Sequence, residues 1–337
     1  MSDAKPTLTV VAASTETGRA STPLSPNQRA WRRFRRNRPA ALSAAFLVCL
    51  LLAVAAWPLI LAIAAHSGAA GAKFAAFYHP DRLSEAQFQA PNASHWLGTD
   101  FHGRDLLSRI LFGAQVSLLV GVVGAGVSLV LGVLWGAIAG YAGGRWDDLM
   151  MRIVDIIYSL PSVIFVVVLI TVLESRLKLL MAHLGGPGWQ VASRMILLFV
   201  GLGAVSWLNM ARIVRGQVLT LRSRAFVEAS RALGAGHGHI LLRHILPNVL
   251  GVVIVYLALS VPAIILYESF LSYLGLGIQP PMASWGSLLA EGAQQINPIR
   301  IYWWLLVFPG GALVATLLAL NFLGDGFRDA WDVRSEK

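Results

Sequence analysis

The sequence has little charge. Only 13% of its 337 residues are Asp, Glu, Lys or Arg, and 56% are hydrophobic, whereas soluble domains carry roughly 25% charged residues. This composition excludes an ordinary soluble protein and indicates that lipid surrounds most of the chain. Cysteine is almost absent too. The single one, Cys49, lies inside an apolar run, so the chain can form no intramolecular disulfide.

Motifs of nucleotide-binding and metal-dependent enzymes are also missing. The chain contains no Gly-x-x-x-x-Gly-Lys-Ser/Thr sequence, so ATP would have to bind a partner rather than this chain. It contains neither His-Glu-x-x-His nor Cys-x-x-Cys. We interpret the loosely spaced His237, His239 and His244 as polar surface. We therefore predict no catalytic residue, no metal site and no cofactor in this chain.

Six apolar runs without Asp, Glu, Lys or Arg are long enough to cross a bilayer, which takes about 20 helical residues. Because lipid offers no hydrogen-bond partner to the backbone, we expect each run to form a helix. The sequence therefore predicts an all-α integral membrane protein with six transmembrane helices. The runs are 39–65, 110–144, 156–173, 195–211, 245–267 and 301–324.

Basic residues are unevenly distributed between the two sets of segments that join these runs. If residue 1 is cytoplasmic, the inside segments hold 19 Lys and Arg and the outside segments hold 8. Positive charge favours the cytoplasmic side, so the sequence predicts a multi-pass protein of the cytoplasmic (inner) membrane with both termini inside. This bias also explains the net charge of +10 without nucleic-acid binding. The outside residues are Lys73, Arg82, Arg104, Arg109, Arg176, Lys178, Arg194 and Arg300.

The runs divide the chain into five parts. We expect a disordered cytoplasmic tail at 1–30, a basic juxtamembrane segment with the first span at 31–66, an external segment at 67–109, a core at 110–325 and a cytoplasmic tail at 326–337. The juxtamembrane sequence WRRFRRNR is compatible with an interfacial helix on anionic lipid or with a plain topology anchor.

Small residues recur at every fourth position of the second run. They share one helical face, and such a face lets another helix backbone approach closely in lipid. We predict that a helix of this chain or of another subunit packs there. The residues are Gly124, Ser128, Gly132, Gly136 and Gly140.

Two prolines lie inside apolar runs, Pro161 in the third and Pro262 in the fifth. Each removes a backbone hydrogen bond and can kink its helix, giving either fixed curvature or a hinge. Glu268 lies at the outer end of the fifth run, where an ionisable group faces a cavity, a partner or the interface. Pro262 and Glu268 are therefore candidate gate or pathway residues.

An arginine-rich polar segment, 221–247, separates the fourth and fifth runs. Within it, 226–233 is compatible with a short helix that has Glu228 near its start, where the helix dipole favours an acid. Gly234 can stop that helix, and Pro247 can begin the next span without losing a hydrogen bond. The residues of this pattern are Glu228, Ala229, Ser230, Gly234, His244, Leu246 and Pro247.

This pattern resembles the EAA loop by which permease subunits of ABC importers dock onto their ATPase. Ser230 replaces the second Ala, and Gln115 lies where relatives often have Arg. From about residue 31 to 334 the chain is similar to the C-type permease subunits of oligopeptide importers. Further blocks that look like those of dipeptide and oligopeptide permeases are 95–109 (HWLGTDFHGRDLLSR), 140–144 (GYAGG), 206–217 (SWLNMARIVRGQ), 268–277 (ESFLSYLGLG) and 321–330 (NFLGDGFRDA).

The resemblance implies a type I importer permease fold, with the EAA-like residues as the ATPase-coupling site. It also implies a heterodimer with a B-type permease subunit, two ATP-binding subunits that hold ATP and Mg, and an external peptide-binding protein. The implied cargo is oligopeptides, with dipeptides, nickel or other peptide-like cargo as alternatives.

A secondary transporter is the alternative from another class, but it would usually have more spans or inverted repeats and mid-membrane charges. An intramembrane enzyme would need paired catalytic groups inside spans.

Overall fold

The computed structural model describes residues 26–182, 188–278, 280 and 282–331. These residues are mainly helical, and the only β-type pairing among them is an isolated bridge between Thr99 and Asp105. The helices are α1 (Pro26–Arg36), α2 (Arg38–His66), α3 (Ala69–Phe77), α4 (Leu106–Ala142), α5 (Gly144–Tyr158), α6 (Ser162–Ala182), α7 (Gly188–Leu221), α8 (Ala225–Ala232), α9 (His237–His239), a π-helix (Ile240–Ile245), α10 (Leu246–Tyr273), α11 (Trp285–Gln294) and α12 (Trp304–Trp331).

The described helices confirm the all-α membrane fold. Five stretches are long and apolar enough to cross a bilayer, and the bent pair α5 and α6 makes a sixth if it forms one span. The five stretches are Arg38–His66, Leu106–Ala142, Ile196–Leu221, His237–Tyr273 and Trp304–Ala330.

The third predicted run, 156–173, is not one helix. α5 ends at Tyr158, α6 begins at Ser162, and their axes differ by 90°. Pro161 explains the break, because proline removes a helical hydrogen bond and pushes the preceding residue out of helical dihedrals. The Ser159 hydroxyl donates to the Ile156 carbonyl at 2.7 Å, so the end of α5 is satisfied locally. The run predicted as one kinked helix is therefore divided between two helices, which make one span only if the bent pair crosses the bilayer together.

The fifth span starts earlier than predicted. Its helical run begins at His237, but the α-helix α10 itself begins at Leu246, so Pro247 lies in the first turn of α10, where the sequence placed it. The π-helix ends two residues before this proline, and the Leu246 N–H donates to the Leu241 carbonyl, five residues back. Such a wide turn leaves room for a proline ring that would clash with the narrower α-helical turn.

The predicted tails are also partly helical. α1 begins at Pro26, within the stretch 1–30 predicted to be disordered, and α12 continues to Trp331, within the stretch predicted as the C-terminal tail. α1 packs on α12 through Phe34 and Phe327, whose ring centroids are 5.3 Å apart, and this contact explains the added order at both ends. Residues 1–25 and 332–337, on which the rest of these predictions falls, lie outside the described residues.

Apart from the break between α5 and α6, most of the described loops lie at two opposite ends of the bundle. The α8 end contains α1, the α4–α5 turn, the polar segment between α7 and α10, and the last turn of α12. The α11 end contains α3, residues 79–105 and α11. Hydrogen bonds join the loops within each end: Arg222 donates to the Gly140 carbonyl at 3.1 Å at the α8 end, and Trp304 donates to the Thr99 carbonyl at 3.1 Å at the α11 end.

A buried network of four charged side chains ties the α11 end together. Asp100 accepts from Arg104 at 2.7 Å and from Arg109 at 2.8 Å. Glu291 on α11 accepts from Arg109 at 3.0 Å and from Arg104 at 3.2 Å. The Arg109 side chain is only 3% exposed, so its charge depends on these partners. The network attaches the loop before α4 and the helix α11 to the first turn of α4, which starts at Leu106, inside the predicted external segment.

The small-residue face of α4 lies against α7 of the same chain. A Cβ atom added at Gly132 would lie 2.5 Å from the Met210 Cβ, and one at Gly140 would lie 2.9 Å from the Arg215 carbonyl. Gly136 faces the Ala211 carbonyl just as closely. At the other end of the face, a Cβ atom added at Gly124 would lie 3.0 Å from the Ile264 Cγ2 of α10, and Ser128 is fully buried. The two helices can approach this closely because α4 carries no side chain at its glycine positions.

We expect Gly132→Leu to destabilise the protein by about 1–3 kcal/mol or more, the usual range for overpacking a close contact. The same change at Gly126 is the matched control, because a Cβ there meets nothing within 4 Å. The measurement is thermal unfolding in detergent, together with the yield of monodisperse protein. Equal losses for the two variants would contradict the close α4–α7 contact.

Candidate functional site

The short helix α8 has the boundaries expected of a self-contained element. Gly234 ends it with a φ of +82°. The Gly234 N–H donates to the Arg231 carbonyl at 3.0 Å, and the Ala235 N–H donates to the Ser230 carbonyl at 3.1 Å. These two bonds form a Schellman motif. The helix stop predicted at Gly234 is therefore present, and Glu228 lies in the first turn of α8.

α8 is anchored by one apolar residue and presents its other side outward. Val227 is fully buried among residues of α7, the π-helix and α10. Glu228 and Ala229 are exposed, Ser230 is half-buried, and Leu233 is 88% exposed. Among the described residues Glu228 has no ion-pair partner. The outward side of α8 therefore combines a free carboxylate with the exposed apolar side chain of Leu233. Sequence reasoning missed Val227, although it is a branched apolar residue inside a polar segment.

The remaining residues of the predicted coupling site lie at the start of α10. His244 and Leu246 are half-buried and Pro247 is exposed. His244 belongs to the π-helix, and its carbonyl accepts from the Asn248 side chain at 2.6 Å. The polar segment folds back on itself, so the apolar anchor of α8 and the buried Ile245 share one hydrophobic cluster. The structure thus brings both halves of the predicted site to the α8 end.

Both ends of the polar segment are joined to the α4–α5 turn. Arg222, before α8, donates to the Gly140 carbonyl, and its guanidinium lies where a Cβ at Gly143 would stand. His237, after α8, contacts the Tyr141 hydroxyl through Nδ1 at 3.0 Å. A displacement of α8 would therefore pull on this turn from two sides.

Two ion pairs hold α5 against α7. Arg215 donates to both carboxylate oxygens of Asp147, at 2.6 and 2.8 Å, which is the strong bidentate geometry. Arg212 donates to Asp155 at 2.7 Å and lies 4.0 Å from the centroid of the Tyr158 ring. α7 extends beyond the predicted run 195–211 to Leu221, and carboxylates on α5 compensate Arg212 and Arg215 in this extension.

A cleft of about 240 Å³ opens at the break between α5 and α6. Its walls come from α5, α6, α7 and α10, and the Ser162 and Tyr267 hydroxyls lie 3.3 Å apart across it. Pro262 is buried within α10, which continues past it to Tyr273, and its neighbours Ser260 and Ala263 line the cleft. The other polar lining residues are Tyr158, Ser206 and Asn209.

Glu268 is completely buried and does not line this cleft. Its carboxylate accepts from the Ser272 hydroxyl at 2.7 Å and from the Ser117 hydroxyl of α4 at 3.1 Å. The Ser117 oxygen in turn accepts from the Trp285 N–H, at the first residue of α11, at 3.2 Å. Glu268 therefore joins α10, α4 and α11. Ser272 lies one helical turn away, but the partner on α4, Ser117, is 151 residues distant, and the sequence named no partner for Glu268.

His237, His239 and His244 of the polar segment do not form a metal-binding cluster. The described residues contain no set of three or more His, Cys, Asp or Glu placed to hold a metal ion. His239 and His244 have ring centroids 5.6 Å apart in an edge-on arrangement, which is a packing contact.

Comparison with known proteins gives matches over most of the chain. Residues 132–337 match the model of the family described as binding-protein-dependent transport system inner membrane component. Residues 25–89 match the N-terminal TM domain of oligopeptide transport permease C.

Curated relatives share this likeness along most of their length. The oligopeptide transport system permease protein OppC of Escherichia coli (strain K12) is 43% identical over 307 residues, covering 90% of each chain. The OppC protein of Haemophilus influenzae is 42% identical over 309 residues, covering 90% of this chain and 88% of the relative. The dipeptide transport system permease protein DppC of Bacillus subtilis is 39% identical over 309 residues, covering 92% and 86%.

We expect Gly234→Ala to destabilise the end of α8 by about 1–2 kcal/mol, because an L-residue with a side chain is strained at this left-handed conformation. Gly236→Ala is the matched control, since Gly236 has a φ of −65° and both glycines have open space around the Cβ position. Hydrogen exchange of the amides in 225–235 measures the difference. Indistinguishable exchange in the two variants would contradict this account of the helix stop.

Proposed function

The chain belongs to the family of binding-protein-dependent transport system inner membrane components, and from this premise we propose that it is the transmembrane permease subunit of an ATP-driven importer of oligopeptides. Two OppC proteins, each covering about nine-tenths of the chain, support the oligopeptide cargo. The relative named for dipeptide transport keeps dipeptides as the alternative. Nickel or other peptide-like cargo is a more distant alternative.

The coupling of transport to ATP is assigned to the α8 end. The observation that carries this proposal is the structure of α8. This short helix is ended by Gly234, is held to the bundle by the buried Val227, and has an exposed outer side. An ATPase subunit would contact the surface formed by Glu228, Ala229 and Leu233. Ser230, Gly234, His244, Leu246 and Pro247 would shape the surface around it. In this proposal the α8 end faces the cytoplasm, in agreement with the distribution of basic residues.

The route from α8 to the membrane interior follows from the contacts described above. Movement of α8 would shift the α4–α5 turn through Arg222 and His237. α5 would carry that shift to the break before Pro161, since Arg215 and Arg212 tie it to α7. The break borders the cleft, so the cleft would change shape when α8 moves.

The cleft is proposed as this subunit's share of the translocation pathway. Pro262 would shape its α10 wall, where Ser260 and Ala263 flank it. Glu268 would act as a gate residue only indirectly, by fixing α10 to α4 and α11 one residue away from the cleft residue Tyr267.

Partners follow from the surfaces that this chain leaves open. Apolar side chains of α10 that are about half exposed, including Leu250, Leu266 and Phe270, lie on the helix that lines the cleft. We propose that a B-type permease subunit covers part of this surface. Two ATP-binding subunits holding ATP and Mg would dock at the α8 end, and an external peptide-binding protein would dock at the α11 end.

We expect Glu228→Lys to leave the subunits assembled in the membrane but to lower transport-coupled ATP hydrolysis at least tenfold, because the exposed carboxylate would become a cation at the docking surface. Asp325→Lys is the control, since it replaces an exposed acid on α12, outside the α8 surface, by the same cation. ATPase activity and uptake of the complex in proteoliposomes are measured. Full coupled transport by Glu228→Lys would refute the coupling role.

We also expect this subunit alone to show no ATP hydrolysis. ATP turnover by the purified single subunit would refute the assignment of hydrolysis to partners.

We expect deletion of this subunit to abolish uptake of labelled tri- to pentapeptides, with little effect on dipeptide or nickel uptake. The reason is that the relatives named for oligopeptide transport match about nine-tenths of the chain. Uptake by cells with and without the gene is compared, and re-expression of the gene must restore it. Loss of dipeptide or nickel uptake instead would keep the permease role and overturn the cargo.

A further inference from the structure

The helix α1 carries a concentrated positive charge. The stretch 26–38 contains no Asp or Glu, and Arg32, Arg35, Arg36 and Arg38 are exposed. Among the residues that the structure describes, Arg32, Arg35 and Arg36 make no ion pair. Repulsion between neighbouring arginines destabilises a helix. A positive helix face without counter-charges therefore attracts anions from its surroundings.

The position of this helix is fixed by contacts on its other side. Phe34 is 7% exposed and stacks on Phe327 of α12. Asn37 interrupts the helix and caps α2, accepting from the Ala40 N–H at 3.3 Å, and its amide donates to Asp329 at 3.4 Å. α1 therefore ends one residue before a membrane-spanning helix and rests on the last turns of another, so it lies at the level of the lipid headgroups.

Trp31 gives this surface an apolar component. Its ring stacks on Phe34 with centroids 5.8 Å apart, yet the residue is 61% exposed. Tryptophan beside a membrane span favours the region between headgroups and acyl chains. An exposed aromatic ring next to an arginine face is the pattern of a helix that lies in the membrane interface and binds anionic lipid.

We propose that α1 is a binding surface for anionic phospholipid headgroups, with Arg32, Arg35 and Arg36 contacting phosphate and Trp31 contacting the acyl-chain boundary. The argument rests on charge complementarity and on the continuity of α1 with the span α2. It is independent of the importer function proposed above. The surface would hold the N-terminal region against the bilayer while the helix α8 moves.

The test uses the full-length chain, purified in detergent with the subunits that accompany it. The probe is a short-chain fluorescent phosphatidylglycerol, compared with phosphatidylcholine of the same chain length. We expect the wild type to prefer phosphatidylglycerol. Arg32→Gln with Arg36→Gln should weaken phosphatidylglycerol binding roughly 30-fold, given the usual contribution of each arginine near an anionic surface, and should leave phosphatidylcholine binding unchanged.

Two further variants separate charge from general damage. Arg32→Lys with Arg36→Lys keeps the charge and should keep the lipid preference. Arg145→Gln with Arg152→Gln removes two exposed arginines from α5 at the same end of the bundle and should leave the preference intact. Thermal unfolding of all variants should match the wild type, because the substituted side chains are exposed.

Several outcomes would overturn the proposal. One is an equal loss of preference in the α5 variant, which would show a diffuse charge effect. Another is full competition by inorganic phosphate at millimolar concentration, which would show a general anion site. A third is an unchanged lipid preference in the α1 variant with loss of a co-purifying subunit, which would show that α1 binds protein.

Discussion

The close approach of α4 and α7 is the contact on which the rest of the structure depends. Lipid provides no hydrophobic drive for two apolar helices to associate, so their association rests on the fit of backbone against backbone. Gly132, Gly136 and Gly140 supply that fit. Because α7 runs along this face, its last turns come to the α4–α5 turn, and Arg215 and Arg222 reach their partners there.

Several charged side chains are compensated by this packing. At the α11 end, Asp100 and Glu291 neutralise Arg104, just before α4, and Arg109 in its first turn. At the α8 end, Asp147 and Asp155 neutralise two arginines of α7. These pairs fix α5 and the loop before α4 to the bundle. Exposed charges on α1 and α8 face the surroundings, where lipid and partner subunits are proposed to bind.

Much of the candidate site could be predicted from local pattern. The extent of α8 and its stop at Gly234 follow from helix propensity and from glycine's left-handed conformation, both of which are properties of neighbouring residues. The burial of Val227 and the pairing of Glu268 with Ser117 could not be predicted, because both depend on residues distant in sequence. The 90° break before Pro161 was also missed, since a proline in an apolar run is compatible with a kink as well as with a break.

Composition and spacing by themselves determined that this chain is a helical membrane protein, where its apolar runs lie, and which segment resembles a coupling loop. These properties depend on transfer to lipid and on local hydrogen bonding, and each is encoded within a short window. Only the tertiary structure decided that α7 covers the small-residue face, that the polar segment is held by the α4–α5 turn, and that a cleft opens beside Pro161. Those features arise from the mutual fit of helices far apart in sequence.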